Sequence, residues 1–196
     1  MAENKLKTPC KAVVIGGSAG SIEVLLKLLP ALPSVLSFTV IIVVHRKNSA
    51  ESSLANLLSL KTAVPIQEVE DKDAVLPGSM YLAPADYHLL IEKQGVFSLD
   101  NSEKVNYSRP SLDVTFESAA DVYGPAMVGI LLSGANADGT AGLKAVKNAG
   151  GVIVAQKPET AMSGFMPQQA ILNTPIDFIL DVNELIEFVR SLNTAS

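Results

Sequence analysis

The chain has 196 residues, 48% of them apolar and 18% charged, with a net charge of −5 and a single cysteine. That length suits one domain burying roughly 70% of its unfolded surface, and an acidic balance without a basic block argues against nucleic acid as a partner. Apolar runs of about four to seven residues fall short of the roughly 20 that membrane insertion as a spanning helix requires. The lone Cys10 leaves no internal disulfide and no multi-cysteine metal site, and it fits a reducing cytoplasm.

Residues 1–10 carry Lys5 and Lys7 without an apolar core, so they read as a frayed tail rather than a secretory signal, and 11–196 as the domain. Val13-Val14-Ile15 is a short strand that stops at Gly16-Gly17-Ser18-Ala19-Gly20. A helical pattern follows through Ile22, Val24, Leu25, Leu26, Leu28 and Leu29. Pro30 to Ser34 is a connection, and Phe38 to Val44 is a β-branched strand ending at His45. Asn48 or Ser49 is placed to cap a short helix with Leu54, Leu57 and Leu58 on one side, and Val64 to Val69 is a further strand.

Residues 71–100 change character. Pro77-Gly78 is a turn, Met80 to Ala83 a strand, and His88–Glu92 with Val96–Leu99 a hairpin about Gly95. The whole stretch reads as an antiparallel insertion. After a polar loop, Pro110 opens a helix with Leu112, Phe116, Ala119 and Ala120 inward. Met127 to Leu132 is a third buried strand, running into Ser133-Gly134-Ala135-Asn136-Ala137-Asp138-Gly139. A helix over 140–149 closes at Gly150-Gly151, and Val152 to Ala155 is another strand. Asp181 caps a last helix, with Glu184 three residues on and Leu185, Ile186 and Val189 buried. Alternating strands and helices give an α/β fold: a doubly wound, mostly parallel sheet with helices on both faces and a small antiparallel hairpin insertion.

Such sheets bind ligands outside the carboxyl ends of their strands. The turn at Ser18 is open to two chemistries: a phosphate held on a helix N-terminus, or a serine nucleophile with N–H groups as an oxyanion hole. The second strand ends at His45, where a dinucleotide site would place a carboxylate, and Gly139 stands where a phosphate loop needs lysine. The third strand leads to Asp138. Ser18, His45 and Asp138 therefore share one sheet edge, and a serine, a base and an orienting carboxylate are what acyl transfer needs. The chain order Ser, His, Asp is not that of ordinary α/β-hydrolases.

Several motifs recur together in one family: Gly16 to Gly20, His45 at a strand end, Leu76-Pro77-Gly78 with Tyr81 to Pro84, Ser108-Arg109-Pro110-Ser111-Leu112-Asp113, and Gly134 to Gly142. Over residues 11 to 192 the chain resembles the catalytic domain of the chemotaxis protein-glutamate methylesterases, the CheB family. The resemblance implies a Ser18–His45–Asp138 triad, hydrolysis of glutamate γ-methyl esters on the cytoplasmic helices of methyl-accepting chemotaxis receptors, and deamidation of particular glutamines there. It implies no cofactor and no metal. Backbone N–H groups of Ala19 and Ala135 are the expected oxyanion hole, and Arg109 and Met166 the expected substrate contacts.

The departures are specific. Ala19 stands where the family has a hydroxyl, Ala135 where it commonly has methionine, and Gly164 to Gln168 lacks the family's arginine. The family's receiver domain has no counterpart ahead of Lys11, so the expectation is either a stand-alone catalytic domain or one excised from a longer chain, monomeric and cytoplasmic. Two other readings stay open: a catalytically silent module binding a receptor or a nucleotide, and a methylesterase acting on a protein outside chemotaxis.

Overall fold

Runs that are apolar on both faces become the inner strands of a sheet in the computed structural model, which describes residues 8–46 and 54–193. In chain order the elements are β1 (Ala12–Gly17), α1 (Ser21–Leu28), β2 (Thr39–Val44), α2 (Leu54–Ser59), β3 (Ile66–Glu68), β4 (Met80–Leu82), β5 (His88–Ile91) and β6 (Phe97–Asp100). They continue with α3 (Leu112–Tyr123), β7 (Met127–Leu131), α4 (Thr140–Asn148), β8 (Val152–Gln156), α5 (Phe165–Asn173), β9 (Phe178–Leu180) and α6 (Val182–Ser191).

Seven strands form one sheet in the order β3-β4-β2-β1-β7-β8-β9, every neighbouring pair parallel. β5 and β6 form a separate antiparallel pair. Strand periodicity sends Val13 and Ile15 to one face and Val14 to the other. The first face packs against α1, α2 and α6 through Leu25, Leu58, Leu185 and Val189. The second is covered by α3, α4, α5 and the hairpin through Phe116, Leu143, Met166 and Phe97. The sheet is thus buried on both sides, which is why its inner strands read as unbroken apolar runs. The chain builds outward from β1 through β2, then returns to lay β7 on the other side of β1. That reversal is the topological switch point of a doubly wound sheet.

The structure corrects several sequence expectations. Met80–Leu82 is not part of an antiparallel insertion: β4 sits between β2 and β3 in the parallel sheet, with Val40 paired to Met80. Three residues carry too little periodicity to reveal a direction, but their burial on both faces is that of an inner parallel strand. Pro110 precedes α3 rather than opening it, joined to Arg109 by a cis bond, and Ser111 is the N-cap. Leu57 is exposed, and Phe188 rather than Ile186 fills the inner side of α6. The capping box at Asp181 forms with both of its hydrogen bonds. α5 and β9 have no counterpart in the sequence reading. Pro167 in the first turn of α5 disguises a helix, and β9 is a half-buried edge strand. The expected cap at Asn48 or Ser49 and the tail over 1–7 lie outside the described residues.

The closest helix contact lies on the second face. A Cβ at Gly142 of α4 would stand 2.6 Å from Phe116 Cβ and 2.9 Å from Asp113 Cα of α3. Both are anchored atoms, so no side-chain rotation relieves the overlap. We expect Gly142→Ala to destabilise the protein by about 1–3 kcal/mol despite alanine's better helix propensity. A urea denaturation midpoint equal to that of the unsubstituted protein would show that the two helices are free to part.

Candidate active site

β1 and β2 run in register with Gly17 opposite Val44, so Ser18 and His45 leave the sheet side by side. The His45 N–H donates to Gly17 O at 3.1 Å, continuing the ladder one step beyond the strands. On the other flank of β1, Ser18 N–H donates to Ser133 O at 2.8 Å. The turn itself is tight: Ser18 O accepts from both Ser21 N (3.1 Å) and Ser21 Oγ (2.7 Å). A Cβ at Gly17 would fall 2.5 Å from Ser21 Cβ, and Gly20 holds φ +83°, so glycine is required at both positions.

Asp138, wholly buried just ahead of α4, is the most heavily bonded side chain of the site. Its Oδ2 lies 2.7 Å from His45 Nε2 and accepts from Leu112 N at 2.7 Å. Its Oδ1 accepts from Ser111 Oγ (2.8 Å), Asp113 N (3.1 Å), Gly139 N (3.1 Å) and Asn106 Nδ2 (3.3 Å). Two of these donors are the first N–H groups of α3, so Asp138 occupies that helix's N-terminus, where a negative charge is favoured. Asp113, in the first turn of α3, returns the arrangement by accepting Gly142 N of α4 at 2.7 Å. Neither helix receives a hydrogen bond from its own N-cap side chain. Each is capped by a carboxylate from the other's segment.

The two carboxyls respond oppositely to burial. Desolvation pushes Asp138 up, but the His45 hydrogen bond and charge and the Leu112 and Asp113 N–H groups together hold it below its ordinary value. Desolvation also pushes Asp113 up; the Gly142 N–H only partly offsets this, and the neighbouring Asp138 charge adds to the rise, leaving it at about 6. An ionised Asp138 accepts only, so the hydrogen on the His45–Asp138 bond belongs to Nε2, and in the neutral imidazole Nδ1 carries the open lone pair. Ser108 Oγ lies 3.3 Å from that Nδ1. Among the described residues Ser18 Oγ makes no hydrogen bond to His45. The N–H groups of Ala19 and Ala135, the expected oxyanion donors, make no hydrogen bond among the described residues.

The remaining sequence candidates fare differently. Arg109 directs one guanidinium nitrogen at two backbone carbonyls, Asn101 O (2.8 Å) and Ser102 O (2.7 Å), and so braces its own loop. It also lines a cavity of about 240 Å³ beside His45, with Lys104, Tyr107 and Ser108. Met166 has 0% exposure and packs under Gly134, where a Cβ would collide with it. From there it supports the Ala135 loop and offers no surface to a substrate. Met162, 68% exposed and against Gly20, is the methionine open to solvent beside the turn.

The sequence motifs include Ser108, Ser111, Asp113, Ser133 and Asn136 but assign them no role, and Asn106 stands in none of them; together these residues form the polar scaffold of the site. Ser133, wholly buried, donates to Ala19 O at 2.6 Å and so orients the Ser18 turn. His88 is a structural histidine, with Nδ1 accepting from Ser111 N (3.1 Å) and Nε2 2.9 Å from Glu103 O. Among the described residues no three His, Cys, Asp or Glu side chains gather to hold a metal ion, and no helix is long and apolar enough to cross a membrane.

The raised Asp113 carboxyl gives a pH signature. The unfolded chain releases this proton near pH 4 and the folded protein at about 6, so the folded state binds more protons between those values. Stability attributable to Asp113 therefore falls as pH rises through that window. Asp138 acts in the opposite sense and only at lower pH. Urea denaturation of the wild type and Asp113→Asn at pH 4 and pH 7 should show the variant gaining on the order of 1–3 kcal/mol relative to wild type at the higher pH. A pH-independent difference would mean that Asp113 does not titrate in this window.

The comparisons with known proteins agree with this architecture. A family model described as CheB methylesterase matches residues 13–189. A putative protein-glutamate methylesterase/protein-glutamine glutaminase of Leptospira interrogans is 41% identical over 181 residues, spanning 92% of this chain and 94% of the relative. The Thermotoga maritima protein-glutamate methylesterase/protein-glutamine glutaminase is 34% identical over 180 residues, spanning 90% of this chain and 52% of that protein, so the chain spans about half of its length. The crystal structure of the Thermotoga maritima CheB methylesterase catalytic domain superposes with a TM-score of 0.89 at 34% identity, covering 94% of this chain and all of that one. With a family model matching residues 13–189 and the fold shared with that catalytic domain, the chain belongs to the CheB methylesterase family.

Proposed function

We propose that the protein is a serine hydrolase that removes methyl groups from glutamate γ-methyl esters of chemotaxis receptors in the cytoplasm and deamidates particular glutamines on the same helices. The observation that carries this reading is the 2.7 Å contact between His45 Nε2 and the buried Asp138 carboxylate beside the Ser18 turn. The names of the relatives, protein-glutamate methylesterase/protein-glutamine glutaminase, support both the ester and the amide.

In this reading His45 Nδ1 takes the Ser18 proton as Oγ attacks the side-chain carbonyl, and Asp138 stabilises the imidazolium that results. The N–H groups of Ala19 and Ala135 stabilise the tetrahedral oxyanion, each worth roughly 10²–10³ in rate. His45 returns the proton to the leaving oxygen, methanol departs, and water then releases the acyl group as a glutamate carboxylate. For a glutamine substrate the proton goes to nitrogen and ammonia departs.

A silent binding module draws on one observation, the absence of a Ser18–His45 hydrogen bond. Against it stands the cost of Asp138. Burying a carboxylate and saturating it with donors is expensive, and a surface that only binds has no need to aim that charge at a histidine. Resting sites commonly hold catalytic hydrogen bonds long or unmade until substrate arrives.

Incubation with membranes carrying methyl-labelled chemoreceptors should release labelled methanol. Ser18→Ala should reduce that release by at least about 10³-fold with an unchanged urea midpoint. Undiminished release by the variant would overturn the mechanism. Esterase activity on a small methyl ester but none on receptor membranes would move the substrate outside chemotaxis.

A further inference from the structure

We propose that Ser108 is a positioning residue that holds the open nitrogen of His45 in the resting site and surrenders it to Ser18 when substrate docks. The inference rests on the triad reading above but starts from a separate contact. Nε2 of His45 is committed to Asp138 at 2.7 Å, and the group within hydrogen-bond reach of Nδ1 among the described residues is the Ser108 hydroxyl at 3.3 Å. A serine hydroxyl has one proton to give. Ser108 Oγ has two acceptors at the same 3.3 Å, His45 Nδ1 and Asn106 O, while Asn136 Nδ2 donates to it at 3.3 Å. Rotation of one hydroxyl therefore selects between a blocked base and a free one. No bond is made or broken.

The surrounding turn is built to hold this hydroxyl. Val105 and Ser108 exchange backbone hydrogen bonds, Val105 N to Ser108 O (3.2 Å) and Ser108 N to Val105 O (2.9 Å). Asn106 and Tyr107 between them have φ +50° and +62°, a two-residue turn with both central residues left-handed. Asparagine tolerates that conformation; tyrosine does so at a cost. Asn106 Nδ2 ties the tip to Asp113 Oδ2 (2.7 Å) and Asp138 Oδ1 (3.3 Å), so the turn is fastened to the carboxylates that fix His45. Asn136, which orients Ser108 from the other side, is the residue after the expected oxyanion donor Ala135. Tyr107 stands 95% exposed at the tip. Strain, fastening and exposure together describe a latch rather than an inert loop.

Two measurements on Ser108→Ala and Ser108→Thr test this. The chain has two histidines, so selective 15N-histidine labelling resolves His45 Nδ1 from His88. In Ser108→Ala that resonance should move toward the position of an unbonded imidazole nitrogen, and Ser108→Thr, which keeps the hydroxyl, should restore it. Labelling of Ser18 by an alkyl fluorophosphonate, located by mass spectrometry, should be about 2- to 10-fold faster in Ser108→Ala, the worth of one neutral hydrogen bond. The KM for ester hydrolysis should fall by the same factor at constant kcat, because the bond is given up on docking. A role confined to turn stability would lower the melting temperature and leave the resonance and the labelling rate unchanged; that result overturns the proposal. So does loss of labelling in Ser108→Ala with labelling retained in Ser18→Ala, which would make Ser108 the nucleophile. The resonance needs no activity. A protein without esterase activity but with the resonance shift keeps the latch and rejects the triad; an active protein with an unmoved resonance does the reverse.

Discussion

A buried carboxylate at the start of a helix it does not belong to is the constraint on which the site depends. Asp138 sits ahead of α4 yet accepts the Leu112 and Asp113 N–H groups that open α3, and Asp113 of α3 accepts Gly142 N of α4. Separately, each helix would leave N–H groups without partners in the interior, and each carboxylate would be a desolvated charge. Exchanged, the helix N–H groups gain acceptors, the Asp138 charge is compensated and the burial of Asp113 is offset in part, and the geometry becomes over-determined. The two helices cannot shift without uncapping each other. Gly142, where even a methyl group would strike the α3 backbone, sets how closely they cross. His45 then meets an acceptor whose position is fixed from several directions, which is the requirement for holding an imidazole in one tautomer.

The other half of the site is fixed by the sheet. Parallel pairing of β1 with both β2 and β7 brings three carboxyl ends to one edge, and the register sets Ser18 beside His45. The Ser18 turn is gripped through its backbone, by Ser133 O on one side and by the Ser133 hydroxyl on Ala19 O on the other. Because nothing grips through the side chain of residue 19, alanine there leaves the turn intact. Met166 under Gly134 serves the Ala135 loop in the same indirect way. Packing and backbone hydrogen bonds locate the groups; few side chains are left to face a substrate.

This division explains what the sequence disclosed. Strands buried on both faces announce themselves as unbroken apolar runs, so β1, β2, β7 and β8 and the residues at their ends were legible, and the structure brings His45 and Asp138 into contact. β4 and β9 were not, because three-residue strands carry almost no periodicity and their direction is set by distant neighbours. The polar scaffold was silent for a different reason. Ser108, Asn106 and Ser111 lie in a loop and a helix start, where composition is uninformative, and their partners are far away in sequence. Asn106 reaches Asp138 across 32 positions and Ser108 reaches His45 across 63. One signal was available: α4 begins at Gly139, which has no side chain to cap it and so asks for an acceptor from elsewhere.

Strand order also accounts for the way the imidazole is turned. In the ordinary serine triad the near nitrogen, Nδ1, faces the carboxylate and the far one, Nε2, faces the serine. Here β1 lies between β2 and β7, so the histidine at the end of β2 must reach past the strand that carries Ser18 to touch the aspartate beyond β7. Only the far end of the ring spans that distance, and Nε2 meets Asp138. The near nitrogen, Nδ1, is left free of the carboxylate. A chain order of Ser, His, Asp on strands in the order β2-β1-β7 thus leaves Nδ1 as the nitrogen that Asp138 does not hold, the base of the proposed triad. It also places that base within reach of a third segment, the turn over 105–108, which an Nε2 base projecting away from its strand would not meet.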